Sequence, residues 1–410
     1  MNLRRDLRRD FPVLARTIDE RPVTYLDNAA TTLKPRAVIE AVTDYYANVG
    51  ANIHRGRHLL SQEASTLYED SRSRVAQFIG AFADEVVFVR NTTEAINLVA
   101  HGLRLSPDDL VIGTLDAHHS QLLPWRRAAR LELTAVDRQG LVDRNHYETL
   151  LRKQPKVVAL SHCSNVTGAY IALEDMIRAA KARDAIVVVD AAQSVGHRRL
   201  NVASLGADFL AFSSHKMMGP TGVGVLYGRR DRLEQLDPLL LGGGTVDWVD
   251  LRDHTLRRVP HRFEAGTPDI AGVIGLGAAV RYLEQLGLEA IDAHDRELAA
   301  ALREGARQRP YLEVIGPTRE VDKTAILSLR IPGVTRLDDV AQLLSDAHGI
   351  MCRTGHHCAQ PLVDHFTADE ALRASAYVYN TSEEIVALFE ALDEIHSVLH
   401  LHLPSGVSRV

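Results

Sequence analysis

Short apolar runs, each ending in a cluster of small or polar residues, set the rhythm of the chain. Val86-Val87-Phe88-Val89, Leu110-Val111-Ile112-Gly113, Lys156-Val157-Val158-Ala159-Leu160 and Ala185-Ile186-Val187-Val188-Val189 read as strands. Phe209-Leu210-Ala211-Phe212 and Val223-Gly224-Val225-Leu226-Tyr227 continue the series. Runs that stay apolar instead of alternating indicate strands covered on both faces. Helical patterns fall between them, ending near Leu103 and over residues 121–131 and 173–183. Strand alternating with helix predicts a mostly parallel sheet with right-handed crossovers. Ligands on such sheets bind beyond the carboxyl ends of the strands. Thr93, His118, Asn165, Asp190 and Lys216 all fall just past predicted strand ends, which places one polar site on one sheet edge.

The flanks follow other patterns. Residues 1–20 read as a short amphipathic helix with Leu3, Leu7, Phe11 and Leu14 on one face. A brief strand, Thr24-Tyr25-Leu26, ends in small polar residues, and residues 37–47 read as helix after Pro35. Residues 241–267 break the rhythm with Gly242-Gly243-Gly244, which lacks the spacing and following helix of a dinucleotide fingerprint. A hairpin or lid is expected there. A long helical pattern from Ile270 to Leu286 then leads to helix (297–308), strand (325–329), helix (340–348), a strand through Met351-Cys352-Arg353, and a last helix over about 382–399. The expected organisation is an N-terminal helix (1–20) packing on the small domain, a large domain (21–285) and a smaller C-terminal α+β domain (286–410).

Composition narrows the function classes. A hydrophobic content of 46% and charged content of 24% are ordinary for a globular protein. The net charge of −6 gives no electrostatic case for nucleic acid or anionic membrane as main partner. No run of about 18 apolar residues exists, and the first residues lack the apolar segment of a signal peptide. Three cysteines, Cys163, Cys352 and Cys358, argue against a disulfide framework and for a reducing cytoplasm.

The centre of the pattern is Ser213-Ser214-His215-Lys216-Met217-Met218-Gly219-Pro220-Thr221-Gly222. Lys216 there is either a surface lysine in a hairpin or, with Asp190 at a neighbouring strand end, half of a pyridoxal phosphate (PLP) site. PLP needs an amine for its Schiff base and a carboxylate for its pyridinium nitrogen. Thr92-Thr93 at a helix start either caps that helix or cradles a phosphate with free N–H groups and the helix dipole. The basic loop Asn52-Ile53-His54-Arg55-Gly56-Arg57-His58 is either a solvated turn or part of an entrance for an anionic substrate. Arg373, in an apolar segment, calls for a carboxylate, from substrate or from the protein. Cys358 sits in Thr354-Gly355-His356-His357-Cys358-Ala359-Gln360-Pro361, where a neighbouring histidine favours the reactive thiolate. A buried thiol is the rival there. Three adjacent residues do not reach one tetrahedral metal, so no metal is expected.

Taken in order, Leu26-Asp27-Asn28-Ala29-Ala30-Thr31-Thr32, Asn52-Ile53-His54-Arg55-Gly56, Ser164-Asn165, Asp190-Ala191-Ala192-Gln193, Ser213-Ser214-His215-Lys216, Arg262-Phe263-Glu264-Ala265-Gly266-Thr267 and Arg353-Thr354-Gly355-His356-His357-Cys358 carry a resemblance. The chain resembles the class V, fold-type I PLP enzymes, and within them the SUF-type (group II) cysteine desulfurases, close to selenocysteine lyases. The likeness spans about residues 20–400. It implies an α/β fold-type I PLP-transferase, a large domain with a mostly parallel sheet flanked by helices plus a smaller C-terminal α+β domain. It also implies conversion of L-cysteine to alanine, with sulfur captured as a persulfide on Cys358 and passed to a SUF-type acceptor protein. Selenocysteine lyase or another C–S lyase is the alternative on the same scaffold.

The resemblance assigns roles residue by residue. Lys216 is the Schiff-base lysine, Asp190 partners the pyridinium nitrogen, Gln193 and Asn165 approach the ring oxygen, and His118 stacks on the ring and manages the thiol proton. Thr93, Ser213 and His215 hold the phosphate, with Thr267 supplied by the other subunit of a homodimer. Arg373 clamps the substrate carboxylate, Asn28, Ala29, His54 and Arg353 line the entrance, and Cys358 accepts the sulfur. The chain departs from the family pattern at Ala117, where an acidic residue is usual, at Ser214, where glycine is common, at Cys163, and at residues 243–247. None of these removes a group the chemistry requires.

Overall fold

The computed structural model describes residues 5–401. Seven strands form the main sheet: β1 (Val86–Val89), β2 (Leu110–Thr114), β3 (Arg130–Thr134), β4 (Val157–Ser161), β5 (Ile186–Asp190), β6 (Phe209–Ser213) and β7 (Gly224–Gly228). Their spatial order is β1-β7-β6-β5-β4-β2-β3. The pairings β5–β6, β4–β5, β2–β4 and β2–β3 are parallel, and β7 runs against both β6 and β1. The mostly parallel sheet is thus as the apolar runs require.

Alternate side chains of one strand enter two different cores. Val187 and Val189 pack with Leu160, Leu210 and Phe212 on one face, while Val188 packs with Ala159, Phe209 and Ala211 on the other. That period-2 sorting inside unbroken apolar runs is what a sheet covered by helices on both faces demands. On the first face, the helices Leu59–Ile79 and Ile270–Leu286 pack on each other, and the second is buried along most of its length.

Farther along, β8 (Glu313–Ile315), β9 (Ile326–Arg330), β10 (Arg353–Gly355) and β11 (Ala371–Ser375) form an antiparallel sheet in the order β8-β9-β11-β10. Its core joins Leu327, Leu329, Leu372 and Ala374 to helices Leu288–Arg307, Leu337–His348 and Ser382–Leu401. The strand at Thr24–Tyr25 pairs in parallel with Ile350–Met351, so an early segment is stitched to a late one.

Several elements differ from the sequence reading. The N-terminal stretch is no amphipathic α-helix: it forms 3-10 turns at Arg5–Asp10 and Pro12–Ala15, because Pro12 lacks the N–H that a continuing helix needs. Leu3 lies outside the described residues. Phe11 still anchors the segment, its ring 4.5 Å from that of Tyr379 and 6.0 Å from that of Tyr282. The helix expected over 121–131 is shorter, Leu123–Ala128, and is followed by the edge strand β3. Arg130-Leu131-Glu132-Leu133-Thr134 alternates polar and apolar as an edge strand does, a pattern overlooked beside the longer runs. The expected hairpin is present as Val246–Val249 paired with His254–Leu256. Among the described residues no helix is long and apolar enough to cross a membrane.

Candidate active site

The carboxyl ends of β4, β5 and β6 deliver Ser161, Asp190 and Ser213 to one cavity of about 440 Å³. Lys216 follows β6 in a single 3-10 turn, Ser214–Lys216. The turn is held by its own backbone: the carbonyl of His215 accepts from Thr32 N at 3.0 Å and from the hydroxyls of Thr31 and Thr32 at 3.1 Å each. The chain leaves through Met218 at φ +66° and then Gly219, where an added Cβ would lie 2.0 Å from Ser214 Oγ. The serine that departs from the family pattern therefore fits because Gly219 has no side chain. Burial pushes the Lys216 amine down to about 8, against the opposing pull of Asp190.

Two ends of the cavity have opposite character. At one end the helix Thr92–Gly102 begins, capped by the Asn91 side chain, which accepts from Glu94 N at 3.0 Å. Ser213 Oγ accepts from Thr92 N at 2.9 Å, and Thr93 Oγ1 lies 2.7 Å from Ser120 Oγ. Hydroxyls of Thr93 and Ser213 beside a helix N-terminus are what an anionic phosphate requires. His215 lines the same end, held neutral because burial, and then Lys216, push it down to about 4. At the other end Asp190 is buried, with Oδ1 accepting from Ala192 N at 2.9 Å. Burial raises its pKa while Lys216 lowers it. Ser161 Oγ, on the same wall, is buried without a hydrogen bond. A phosphate cradle, a central amine, a buried carboxylate and an unsatisfied hydroxyl fit PLP.

His118 joins the wall with Nδ1 3.1 Å from Ser120 N, which donates to it and so places the ring proton on Nε2. Burial, and then Lys216, push this imidazole down to about 3. Gln193 Nε2 donates to Ala29 O at 2.8 Å, tying two lining residues together.

The opposite wall comes from the small sheet. Arg373 on β11 is 2% exposed and donates to Asn165 O at 2.9 Å. Its ion-pair partner, Asp27, is 3.3 Å away, and its Nε is buried with no hydrogen bond. A buried guanidinium with an unused N–H has room for a second carboxylate. Arg353 and Cys358 complete this wall. His357 and Cys358 both take left-handed backbone, φ +51° and +55°, which a non-glycine residue adopts at a cost. Two bonds from the large-sheet side reach the loop: Asn165 Nδ2 donates to His357 O at 2.7 Å, and His119 N to Cys358 O at 2.8 Å.

His357 corrects the expectation that a neighbouring histidine charges the thiol. Its Nε2 bonds Ala371 O at 3.1 Å, and burial pushes it down to about 3, so it is a neutral brace. Cys358 shares the cavity with Lys216 and Arg373.

Three of the residues singled out from the sequence do not line this cavity. The Asn28 amide is consumed by structure: Nδ2 donates to Ser375 O at 2.7 Å and Asn380 Oδ1 at 3.1 Å, and Oδ1 accepts from Tyr379. Its lining neighbour is Ala29. His54 and Thr267 instead line a second cavity, of about 230 Å³. The sequence reading missed Asp27, Ser120 and Ser161, and also His119, whose backbone pins the cysteine loop. Asp27 and Ser161 stand at strand ends, a signal that was available. Cys163 lines the cavity too, but its buried thiol donates to Gly168 O at 3.2 Å and burial raises its pKa well above the usual value. Cys352, flanking β10, is likewise raised, to about 12, by burial.

Comparison with known proteins agrees with this geometry. Residues 24–388 match the Aminotransferase class-V family. A probable cysteine desulfurase of Streptomyces coelicolor is 40% identical over 95% of this chain and 96% of its own length. One from Pyrococcus abyssi is 43% identical over 96% and 98%. Among solved structures, the apo cysteine desulfurase of Thermococcus onnurineus superposes with a TM-score of 0.92 at 42% identity, covering 97% of this chain and 99% of that one. The cysteine desulfurase CsdA of Escherichia coli, in an S-sulfonic acid form, gives 0.88 at 36% identity over 97% and 99%. With the PLP-shaped cavity and a family match along nearly its whole length, the chain belongs to the class-V aminotransferases, PLP-dependent enzymes among which its relatives are cysteine desulfurases.

Proposed function

We infer that the chain is a PLP-dependent cysteine desulfurase that converts L-cysteine to L-alanine and holds the sulfur as a persulfide on Cys358. The observation that carries this reading is that Cys358, Arg373 and Lys216 line one cavity, which joins a thiol to an amine site and a carboxylate clamp.

Bound PLP supplies an electrophilic carbon for an amino group and a ring that withdraws the electron pair left at the substrate Cα. Asp190 would hold the ring nitrogen, Gln193 and Asn165 would serve its oxygen, and Thr93, Ser213 and His215 would hold its phosphate. Arg373 orients the substrate carboxylate, with Arg353 at the entrance. Lys216 takes the Cα proton on Nζ, since burial lowers its pKa to about 8 and so raises the neutral share at pH 7 to about a tenth, from well under a thousandth for a free lysine. His118 exchanges the proton of the substrate thiol through Nε2. The Cys358 thiolate attacks the substrate sulfur, the C–S bond breaks with its electron pair going to carbon, and Cys358 is left as the persulfide. A thiol of a SUF-type acceptor protein then takes the outer sulfur.

We further propose a homodimer, with a division into residues 1–20, 21–285 and 286–410. The partner subunit's Thr267 and the partner subunit's His54 would then serve the phosphate end and the entrance. Supporting this, the hairpin beside Thr267 exposes Trp248, Val249 and Leu251, an apolar strip that a second copy would cover. The three cysteines are unpaired, in keeping with a reducing cytoplasm.

The test is turnover. L-Cysteine with the PLP-loaded protein and a SUF-type acceptor should release alanine in step with sulfur on the acceptor. Strong preference for L-selenocysteine would assign a lyase instead, and a protein that stays colourless with PLP would refute the cofactor chemistry.

A further inference from the structure

The second cavity is bounded by residues 52–55, Gly243-Gly244 and the 257–268 segment. His54 and His261 lie on its wall, their rings edge-to-face with centroids 5.2 Å apart. His54 Nε2 is 2.9 Å from Glu69 Oε1. Ligand atoms of His54, Glu69 and His261 all lie within 4.8 Å of one another. We propose that these three residues form a zinc site.

The donor set is that of an open zinc centre, with three protein ligands and a fourth position for water or an anion. Zinc bonds of about 2.0–2.2 Å in a tetrahedron space the ligand atoms about 3.4 Å apart. The His54–Glu69 contact is already on that scale, and a ligand atom of His261 lies within 4.8 Å of both.

The supporting groups are in place. Buried Arg72 donates from Nε to Glu69 Oε2 at 2.8 Å and from Nη2 to Oε1 at 3.4 Å, and Oε1 lies closer to His54 Nε2. Arg72 is itself gripped by Glu264, at 2.7 and 2.9 Å. His261 Nδ1 is buried with no hydrogen bond, and Glu264 Oε2 is 4.0 Å away. With His261 Nε2 on the metal, Nδ1–H points at Glu264, the carboxylate–histidine–metal arrangement that fixes a ligating ring. Arg55 and Arg257 line the cavity and favour an anionic fourth ligand.

No sequence motif announces this site, because its residues come from a loop, the middle of the helix Leu59–Ile79 and the turn His261–Phe263. The expectation of no metal rested on the cysteine loop and on the lack of a second Cys/His cluster with metal-ligand spacing along the sequence. Bound zinc would tie the loop carrying His54 to the segment carrying Thr267, whose Oγ1 is 3.4 Å from Asn52 Nδ2.

The experiment titrates the PLP-loaded, chelator-stripped protein with Zn2+ against a chromophoric chelator, and with Co2+ for its visible spectrum. One Zn2+ per chain is expected, with four-coordinate Co2+ bands and no thiolate charge-transfer band. His261→Ala should weaken Zn2+ binding by about tenfold or more, with the metal-free unfolding midpoint unchanged. His261→Cys should restore binding and add the thiolate band, which also decides the matter if the alanine variant folds poorly. Absence of stoichiometric binding, equal binding by His261→Ala, or loss of binding in Cys358→Ser would each overturn the proposal.

Discussion

Lys216 and Cys358 face one cavity and are held in opposite ways. Lys216 sits at the end of β6, its turn fixed by several donors on one carbonyl and by a glycine that admits a close approach. Cys358 is exposed, on left-handed backbone, and pinned by two hydrogen bonds that reach across from the other half of the molecule. A buried, rigidly seated amine suits a cofactor that stays. An exposed thiol on a lightly held loop suits a sulfur that must leave with another protein. In the function proposed, the difference separates the residue that seats the cofactor from the residue that takes the sulfur.

Substitutions can break that comparison at either pole. Lys216→Ala should cut alanine release by on the order of 10⁴-fold, the upper end for a positioned acid–base group, measured as alanine by amino-acid analysis. Cofactor capture offers a second, smaller effect. Lys216 must be unprotonated to add to PLP, and burial holds it near 8 instead of 10.5. The rate of PLP uptake by the cofactor-free protein should therefore rise about fiftyfold from pH 6 to 8 and only about twofold more above that. A rise continuing towards 10.5 would mean that the lysine is not buried as described.

The clamp between the poles comes next. Arg373→Lys keeps the charge but loses the fork, so kcat/KM for L-cysteine should fall roughly 30-fold, about 2 kcal/mol, mostly through KM. The smallest effect concerns the loop. Asn165→Ala removes the bond to His357 O, worth about 1 kcal/mol. In the cofactor-free protein Cys358 should then be alkylated by iodoacetamide roughly fivefold faster. An unchanged alkylation rate would show that the loop is held by other means.

Much of the Lys216 pole was legible in the sequence, because strands announce themselves as apolar runs and their ends are local. Thr93, His118, Asn165, Asp190 and Lys216 could be placed on one edge without coordinates. The Cys358 pole was legible as a motif but not as a mechanism. His357 reads as an activating neighbour, and only tertiary packing turns it inward to Ala371 O. Asn28 misled for the same reason, since its partners, Ser375, Tyr379 and Asn380, lie hundreds of residues away. His54 and Thr267 stand apart from the Lys216 cavity within one chain; the family resemblance gave Thr267 to a second subunit, while His54 carried no such mark. The N-terminal segment shows the reverse error, where helical spacing outweighed a proline.

The central claim is that Cys358 takes sulfur from a substrate seated at Lys216. The most direct measurement incubates the PLP-loaded protein with L-cysteine without an acceptor, then maps peptides by mass spectrometry while alanine is quantified. The account predicts one added sulfur on the peptide carrying Cys358 and one alanine per site in a first burst. In Cys358→Ala it predicts neither, with bound PLP retained. Added sulfur on Cys163 or Cys352 instead, or an undiminished burst in Cys358→Ala, would contradict it.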